Sequence, residues 1–214
     1  MATTRTYDDA CLIARALDVV GERWALLIVR ELLFGPRRFS DLRTALANAS
    51  TNLLSDRLRE LETNGVIARR RLPPPAGSMV YELTDSGAEL SAVLGALGEW
   101  GSLHARPPSP SDVLTPASIL LALSGSLRPD RRRRWPTIHF RFDEGVWTAW
   151  VADGSLRVVS GEQGTAELVV HTDPWTLNRV LDDLSQISAA MSEGRLVIQG
   201  DDTVFRRLLV VRAD

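Results

Sequence analysis

The chain has 214 residues, enough for two small domains, and its apolar share of 44% is typical of a globular protein with a buried core. The formal net charge of −2 excludes a molecule that is basic throughout, so any nucleic-acid site must be a local surplus of positive charge. All 25 basic residues are arginine, as a GC-rich coding sequence produces, and the single cysteine, Cys11, excludes a disulfide within the chain.

The N-terminal stretch "MATTRTYDDA" has no apolar leader, and no apolar run approaches the length of a membrane span. We therefore expect a cytoplasmic protein that does not enter a membrane. Apolar residues at helical spacing then predict a series of helices, with stops at glycines such as Gly21 and Gly35. The predicted helices cover residues 11–21, 22–35, 39–48, 50–65 and 85–102. The last of them is predicted to carry one apolar stripe, formed by Leu90, Val93, Leu94, Leu97 and Trp100.

The runs "VIARRRL" and "MVYELT" favour β-strands, and "PPPAGS" between them predicts a hairpin with a longer loop. This hairpin follows the fourth predicted helix and precedes the fifth. Three helices followed by a β-hairpin is the element order of a mostly α-helical winged helix-turn-helix, a fold that binds double-stranded DNA.

The predicted helix 50–65 has the two faces that a DNA-reading helix needs. Leu54, Leu58 and Leu61 recur at helical spacing and form a core face. Asn52, Ser55, Asp56 and Arg59 fall on the opposite face, and Asn, Ser and Arg side chains can bind base edges or phosphates.

Positive charge is concentrated in this part of the chain, with eight arginines against four acidic residues between positions 37 and 71. Arg57 is a special case, because it lies towards the leucine face and suits either a phosphate contact or an internal ion pair. The predicted DNA-binding residues are Arg38, Ser50, Thr51, Asn52, Ser55, Arg57, Arg59, Arg69, Arg70 and Arg71.

A proline-rich segment, 106–116, separates these helices from a second half with a different pattern. We predict domains at 1–105 and 117–214 with this segment as the linker. The second half begins with a helix from residue 116 and continues with short alternating strands such as "TIHFRF". Asp173 and Pro174 then suit the start of another helix, so the half is predicted to be an α+β domain.

The first half resembles the HxlR family of winged-helix transcriptional regulators over roughly residues 10 to 101. The matching motifs are Cys11, "GERW" at 21–24, "REL" at 30–32, the segment 35–42 and "YELT" at 81–84 with Gly87. The resemblance implies a homodimer that binds the paired half-sites of a palindromic operator, with dimer contacts from residues 11–20 and 85–101.

Cys11 occupies a position where many members of this family have a cysteine that senses oxidants or electrophiles. A lone cysteine on an apolar helix is more often a small buried apolar residue, and a sensor thiol needs a lowered pKa and access to solvent. The sequence leaves both roles open.

The second half resembles the sterol-carrier-protein type of lipid-binding domain, in "TAELVVHTDPWTLNRVL" and "GRLVIQGDDTVFRRLL". The resemblance implies a curved five-stranded sheet whose helices enclose an apolar tunnel for a hydrophobic small molecule. The side chains predicted to line it are Phe140, Phe142, Trp147, Trp150, Trp175, Met191 and Phe205.

The stretch "RPDRRRRWP" at 128–136 is the densest run of positive charge. Four successive side chains cannot all face one partner, so a solvated turn is favoured. A secondary phosphate contact and an anion-binding rim at the ligand cavity stay open.

The three histidines are scattered without metal spacing, and motifs of catalysis or nucleotide binding do not occur, so we expect neither an enzyme nor a metal site nor a cofactor. The sequence therefore predicts a dimeric repressor whose second domain binds a hydrophobic effector. The alternatives are a redox-sensing regulator that acts through Cys11, and a lipid carrier whose first domain does not bind DNA.

Overall fold

The computed structural model describes residues 6–74 and 77–210. The chain divides into two compact units, Met1–Leu97 and Gly98–Asp214, which are described separately below. The boundary between them falls within a long helix, ahead of the proline-rich segment 106–116.

The first unit has the predicted order of four helices, a hairpin and a closing helix. The element bounds are α1 Leu12–Val20, α2 Ala25–Leu32, α3 Phe39–Ala45, α4 Thr51–Thr63, β1 Ile67–Arg71, β2 Met79–Leu83 and α5 Asp85–His104, the last of which crosses into the second unit. Helix α2 is shorter than predicted at both ends. It starts after Trp24, whose φ of 79° is left-handed, and Gly35 beyond its end has a φ of 141°.

Helix α4 begins and ends where the sequence predicts. The hydroxyl of Ser50 accepts a hydrogen bond from the Leu53 amide at 3.3 Å, which satisfies one of the free N–H groups of the first turn. At the other end Gly65 adopts a φ of 72°, a conformation in which glycine carries little strain. The leucine face is buried as expected, because Leu54, Leu58 and Leu61 are all within the core.

A tight joint connects the hairpin to the start of α5. The Thr84 hydroxyl donates to the Gly65 carbonyl at 2.6 Å, and the Gly87 amide donates to the Thr84 hydroxyl at 3.1 Å. A Cβ atom on Gly87 would lie 2.0 Å from the Val66 carbonyl oxygen, so only glycine allows this approach. Helix α5 is thereby fixed to the base of the hairpin.

The second unit is an α+β fold with a five-stranded mixed sheet in the order β5-β4-β3-β6-β7. Its elements are α6 Pro116–Ser126, β3 Ile138–Phe142, β4 Gly145–Ala152, β5 Ser155–Ser160, β6 Leu168–Thr172, α7 Pro174–Asp182, α8 Gln186–Ser192, β7 Leu196–Gln199 and α9 Asp202–Val210. The predicted start of α7 is confirmed: the Asp173 carboxylate accepts from the Thr176 amide at 2.9 Å, and Pro174 is the first helical residue.

Four of the aromatic residues predicted to line a ligand tunnel pack against one another. The Phe140 ring centroid lies 6.5 Å from those of Phe142 and Phe205, and that of Phe142 lies 5.5 Å from that of Trp147. Trp150 does not belong to this group. It is three residues after Trp147 on β4, and alternation along the strand puts it on the opposite face of the sheet.

The remaining two predicted lining residues are half-buried and make polar contacts. The Trp175 indole N–H donates to the Asp112 carbonyl at 3.2 Å, and the Met191 sulfur accepts from Arg206 at 3.7 Å. Strand alternation thus separates Trp150 from the aromatic group around Trp147, and a cavity lined by the predicted side chains stays a prediction.

Candidate nucleic-acid interface

The outward face of α4 holds most of the predicted base-contacting side chains. Thr51, Asn52 and Arg59 are exposed, and Ser55 is half-buried one turn after Asn52. Arg59 pairs with Asp56 at 3.1 Å, but both side chains are largely in water, where such a pair is weak and easily exchanged for a phosphate or a base. Burial of the leucine face directs this polar face to solvent.

Arg57 is oriented differently from its neighbours on α4. Its side chain is about nine-tenths buried and pairs with Glu60 and, at 3.7 Å, with Glu22. Of the two roles that the sequence left open, this placement favours the internal ion pair. A phosphate contact by Arg57 would first have to break both pairs.

The three arginines of β1 are exposed but differ in whether another side chain already pairs with their charge. Arg70 forms a salt bridge with Glu82 on the paired strand at 2.6 Å, which offsets its charge. The Arg69 guanidinium lies 5.9 Å from the centroid of the Tyr81 ring, a cation–π contact that leaves its N–H groups available. Arg69 and Arg71 share a face of the strand, so the hairpin offers two cations on one side.

The start of α3 also contributes cations near α4. Arg38 is exposed and immediately precedes α3, where its amide donates to Asp41 at 3.0 Å. Arg43, on the same helix, donates a hydrogen bond to the hydroxyl of Thr51 at the start of α4. Arg43 was not among the predicted DNA contacts. Its only signal in the sequence is membership of the basic stretch 37–71, because its contact with the first turn of α4 depends on how α3 packs.

Two helices of the first unit expose apolar side chains. More than half of the exposed large apolar residues among those described lie on α1 and α5: Leu12, Ile13, Leu17, Val93, Leu97, Trp100 and Leu103. Trp100 is 61% exposed, whereas Leu94 is only 8% exposed and belongs to the core. The apolar stripe predicted on α5 is therefore two stripes, one packed inward and one open to solvent.

Cys11 lies immediately before α1 and is exposed. Hydrogen bonds from the backbone amides of Ala14 and Ile13 hold the pKa of its thiol below the ordinary value. This position at a helix N-terminus favours the thiolate, the reactive form of a cysteine.

The arginine run of the second unit is engaged locally. Arg134 makes a two-pronged contact with Glu167, at 2.8 and 2.9 Å, and the Arg131 stem packs against Gly154. The indole N–H of Trp135 donates to the Asp130 carbonyl at 3.1 Å, which closes the turn. The run is a solvated turn with ion pairs, as the sequence favoured.

The helix-turn-helix order, the exposed polar face of α4 and the cationic hairpin together define a DNA-binding transcriptional regulator. The profile of the HxlR-like helix-turn-helix family matches residues 19–108. The chain belongs to the HxlR-like family, because curated relatives share more than 30% identity with it over most of their own length.

Two of these relatives are regulators from Bacillus subtilis (strain 168). The uncharacterized regulator YvaP is 42% identical over 88 residues, which are 41% of this chain and 82% of YvaP. The regulator YodB is 34% identical over 92 residues, which are 43% of this chain and 82% of YodB. A solved structure of reduced YodB has 31% identity and a TM-score of 0.41, covering 47% of this chain and 100% of that chain.

Residues 6–74 and 77–210 also bear on a membrane span and on a metal site. Every helix there is too short or too polar to cross a lipid bilayer. Groups of three or more histidine, cysteine or acidic side chains that could hold a metal ion do not occur in the same part of the chain. Membership of a regulator family favours the two regulator hypotheses over a carrier that does not bind DNA.

Proposed function

We propose that this regulator is a homodimeric repressor that binds a palindromic operator and responds to a hydrophobic small molecule. Each α4 helix enters the major groove of one half-site, and each hairpin lies on the flanking backbone. The dimer, the repressor role and the effector are parts of this proposal, beyond the family's DNA-binding class.

The outward face of α4 is the observation that carries the proposal. Asn52 and Arg59 are exposed, and the pairs Asn–adenine and Arg–guanine are common specific contacts in a major groove. Thr51 at the first turn is placed where groove-reading helices make many of their contacts. Arg69 and Arg71 then supply phosphate contacts, which fix the position of a protein on DNA without selecting the sequence.

The open apolar stripe of α5 supports a dimer. Val93, Leu97 and Trp100 recur within one face of this helix, and each is exposed. An exposed stripe of neighbouring apolar side chains is typical of a protein–protein interface, and a twofold dimer is the most common assembly. A dimer also matches the two-fold symmetry of a palindromic site.

The second unit would act as the effector domain. Its resemblance to sterol-carrier domains supports a hydrophobic ligand, whereas Phe140, Phe142, Trp147 and Phe205 pack against one another and form its core. A ligand that binds two dimer geometries with different affinity shifts the equilibrium between them, and thereby the affinity for the operator.

A mobility shift with the DNA that flanks the gene tests the reading face. We expect Asn52→Ala and Arg59→Ala each to lose roughly 1–3 kcal/mol of preference for the operator over scrambled DNA, while they fold normally. Glu62→Ala, an exposed change near the end of the same helix, is the matched control. Unchanged preference in both variants would mean that α4 does not read the operator.

Sedimentation of a second pair of variants tests the dimer. Leu97→Glu places a charge on the open stripe and should shift the protein towards monomer at micromolar concentration and weaken operator binding. Leu94→Glu should instead unfold the first unit, because Leu94 is buried in the core. A wild type that sediments as a monomer would refute the dimer.

The second candidate is a redox-sensing regulator that acts through Cys11. The exposed thiol and its two backbone donors favour it. Titration of the operator complex with an apolar ligand and, separately, with an electrophile distinguishes the two candidates. Release by the electrophile alone, abolished by Cys11→Ser, would establish the second.

A further inference from the structure

A pocket of about 290 Å³ opens in the second unit beside the arginine run. Its walls come from the turn before β3, the start of β6 and one side of α9. This volume is close to the lower end of the range for small-molecule sites, so it suits a compact ligand.

The wall of the pocket carries charged side chains of both signs. Arg133, Arg134 and Arg207 line it together with Glu167 and Asp201. Arg134 holds the pKa of Glu167 below its usual range, and hydrogen bonds from Thr203 do the same for Asp201, so both carboxylates are ionised at neutral pH. Three cations and two anions belong to the wall itself, and a third carboxylate, Asp130, lies beside Arg133 just outside it, so the case for an anionic ligand rests on free guanidinium donors and not on net charge.

Two of the three arginines have donors to spare. Arg134 is occupied by its two contacts with Glu167. Arg133 lies 3.8 Å from Asp130, the outer limit of an ion pair, and both side chains are more than half exposed. The charge of Arg207 helps to lower the pKa of Asp201, but Arg207 makes no close ion pair with any residue in 6–74 or 77–210. A guanidinium with free N–H groups is the preferred partner of a carboxylate.

The rest of the wall is apolar and includes a flat ring. Trp135, Pro136, Leu168 and Val204 line the pocket together with the charged groups. The hydrogen bond from the Trp135 indole to the Asp130 carbonyl fixes the position of this ring. A half-buried aromatic wall beside free guanidinium groups matches a ligand that has an apolar plane and an anionic end.

We propose that this pocket binds a small organic monoanion, a planar aromatic body that carries one carboxylate, with the carboxylate between Arg133 and Arg207 and the ring against Trp135. This site is separate from the aromatic core of the same unit. As an effector site it rests on the function proposed above, but the binding itself is independent of DNA.

Calorimetry on the full-length protein without DNA tests the proposal with 2-naphthoate and its uncharged analogue 2-naphthamide. We expect 2-naphthoate to bind at micromolar to millimolar concentration and the amide to bind about tenfold more weakly or not at all. Arg207→Gln and Arg133→Gln should each weaken 2-naphthoate roughly tenfold, the loss typical of a charge-assisted hydrogen bond. Arg132→Gln, next in the chain but outside the pocket wall, should bind as the wild type does.

A second variant separates space from charge. Val204→Phe keeps every arginine and fills the pocket, so it should abolish binding while the melting temperature shows that the protein is folded. Four results would each overturn the proposal. Two concern the wild type: no binding of 2-naphthoate at millimolar concentration, or equal binding of 2-naphthoate and 2-naphthamide. The other two concern the variants: equal losses in Arg132→Gln and Arg207→Gln, or unchanged binding in Val204→Phe. Operator binding is measured in a separate experiment. If the wild type does not bind an operator, the proposed function fails, but the pocket proposal is unaffected.

Discussion

Two arginines of α4, only two positions apart, differ in burial and therefore in role. Arg57 turns towards Glu22 and Glu60 and is buried, whereas Arg59 is exposed beside Asp56. The sequence could assign Arg59 to the outer face from its spacing to the leucines. It could not choose a role for Arg57, because Glu22 lies far away in the sequence and its approach depends on how α4 packs.

This difference predicts a separation of stability from recognition. Arg57→Ala removes a buried stem and two ion pairs, so it should lower the free energy of unfolding by about 1–3 kcal/mol, a value reduced by the partial exposure of both glutamates. Arg59→Ala should change it by less than about 0.5 kcal/mol. Urea unfolding of both variants measures this, and equal losses would contradict the assignment.

The thiol of Cys11 has a testable pH dependence. Because backbone donors lower its pKa, the thiolate of the folded protein persists to lower pH than that of an unfolded chain. We expect the rate of alkylation by iodoacetamide to reach half its maximum at a lower pH in the native protein than in urea. A native profile at or above the unfolded one would show that the helix start does not activate this thiol.

At the scale of the element, α5 shows why a helical stripe read from sequence has to be divided by packing. Leu90, Val93, Leu94, Leu97 and Trp100 read as a single apolar stripe, yet Leu94 is buried while Val93, Leu97 and Trp100 face solvent. Spacing predicts which residues share a side of a helix. It cannot predict where the core of the same protomer ends and the next surface begins.

Glycines of α5 give the sharpest test of how this helix is held. Gly87→Ala should lower the free energy of unfolding by more than about 2 kcal/mol, because the added Cβ meets the Val66 carbonyl and the helix start must move. Gly95→Ala, where a Cβ meets nothing within 4 Å, should instead stabilise the protein by about 0.5–1 kcal/mol. Thermal unfolding distinguishes them, and similar effects would mean that the joint is loose.

For the whole molecule, the sequence predicted the element order of both units, because helix caps, glycine stops and strand alternation are local signals. Asp173 caps α7 as expected, and Gly65 lies at the predicted end of the helix 50–65. The aromatic set of the second unit contains a local signal that was missed, because Trp147 and Trp150 lie three residues apart on one strand and alternation places them on opposite faces. The pocket beside Trp135 depends on Asp201 and Arg207 from the far end of the chain, which spacing cannot bring together.

Salt dependence tests which arginines meet DNA. Arg69→Ser with Arg71→Ser should weaken binding to all DNA and reduce the salt slope by about 1–2 units per protomer. Arg132→Ser with Arg133→Ser should leave operator preference intact and change the slope by less than about 1 unit per protomer. If the two double variants behaved the other way round, the second unit would carry the main phosphate contacts.

The joint around Gly87 has a mechanical consequence for the proposed dimer. The Thr84 hydroxyl donates to the carbonyls of Gly65 and Val66 and accepts from the Gly87 amide. The Gly65–Val66 backbone directly follows the end of α4. Because these hydrogen bonds tie the start of α5 to the end of α4, we expect the two helices to move together. In the proposed dimer, a tilt of the two α5 helices relative to each other would change the distance between the two α4 helices. The spacing of the half-sites that both α4 helices can bind would change with it.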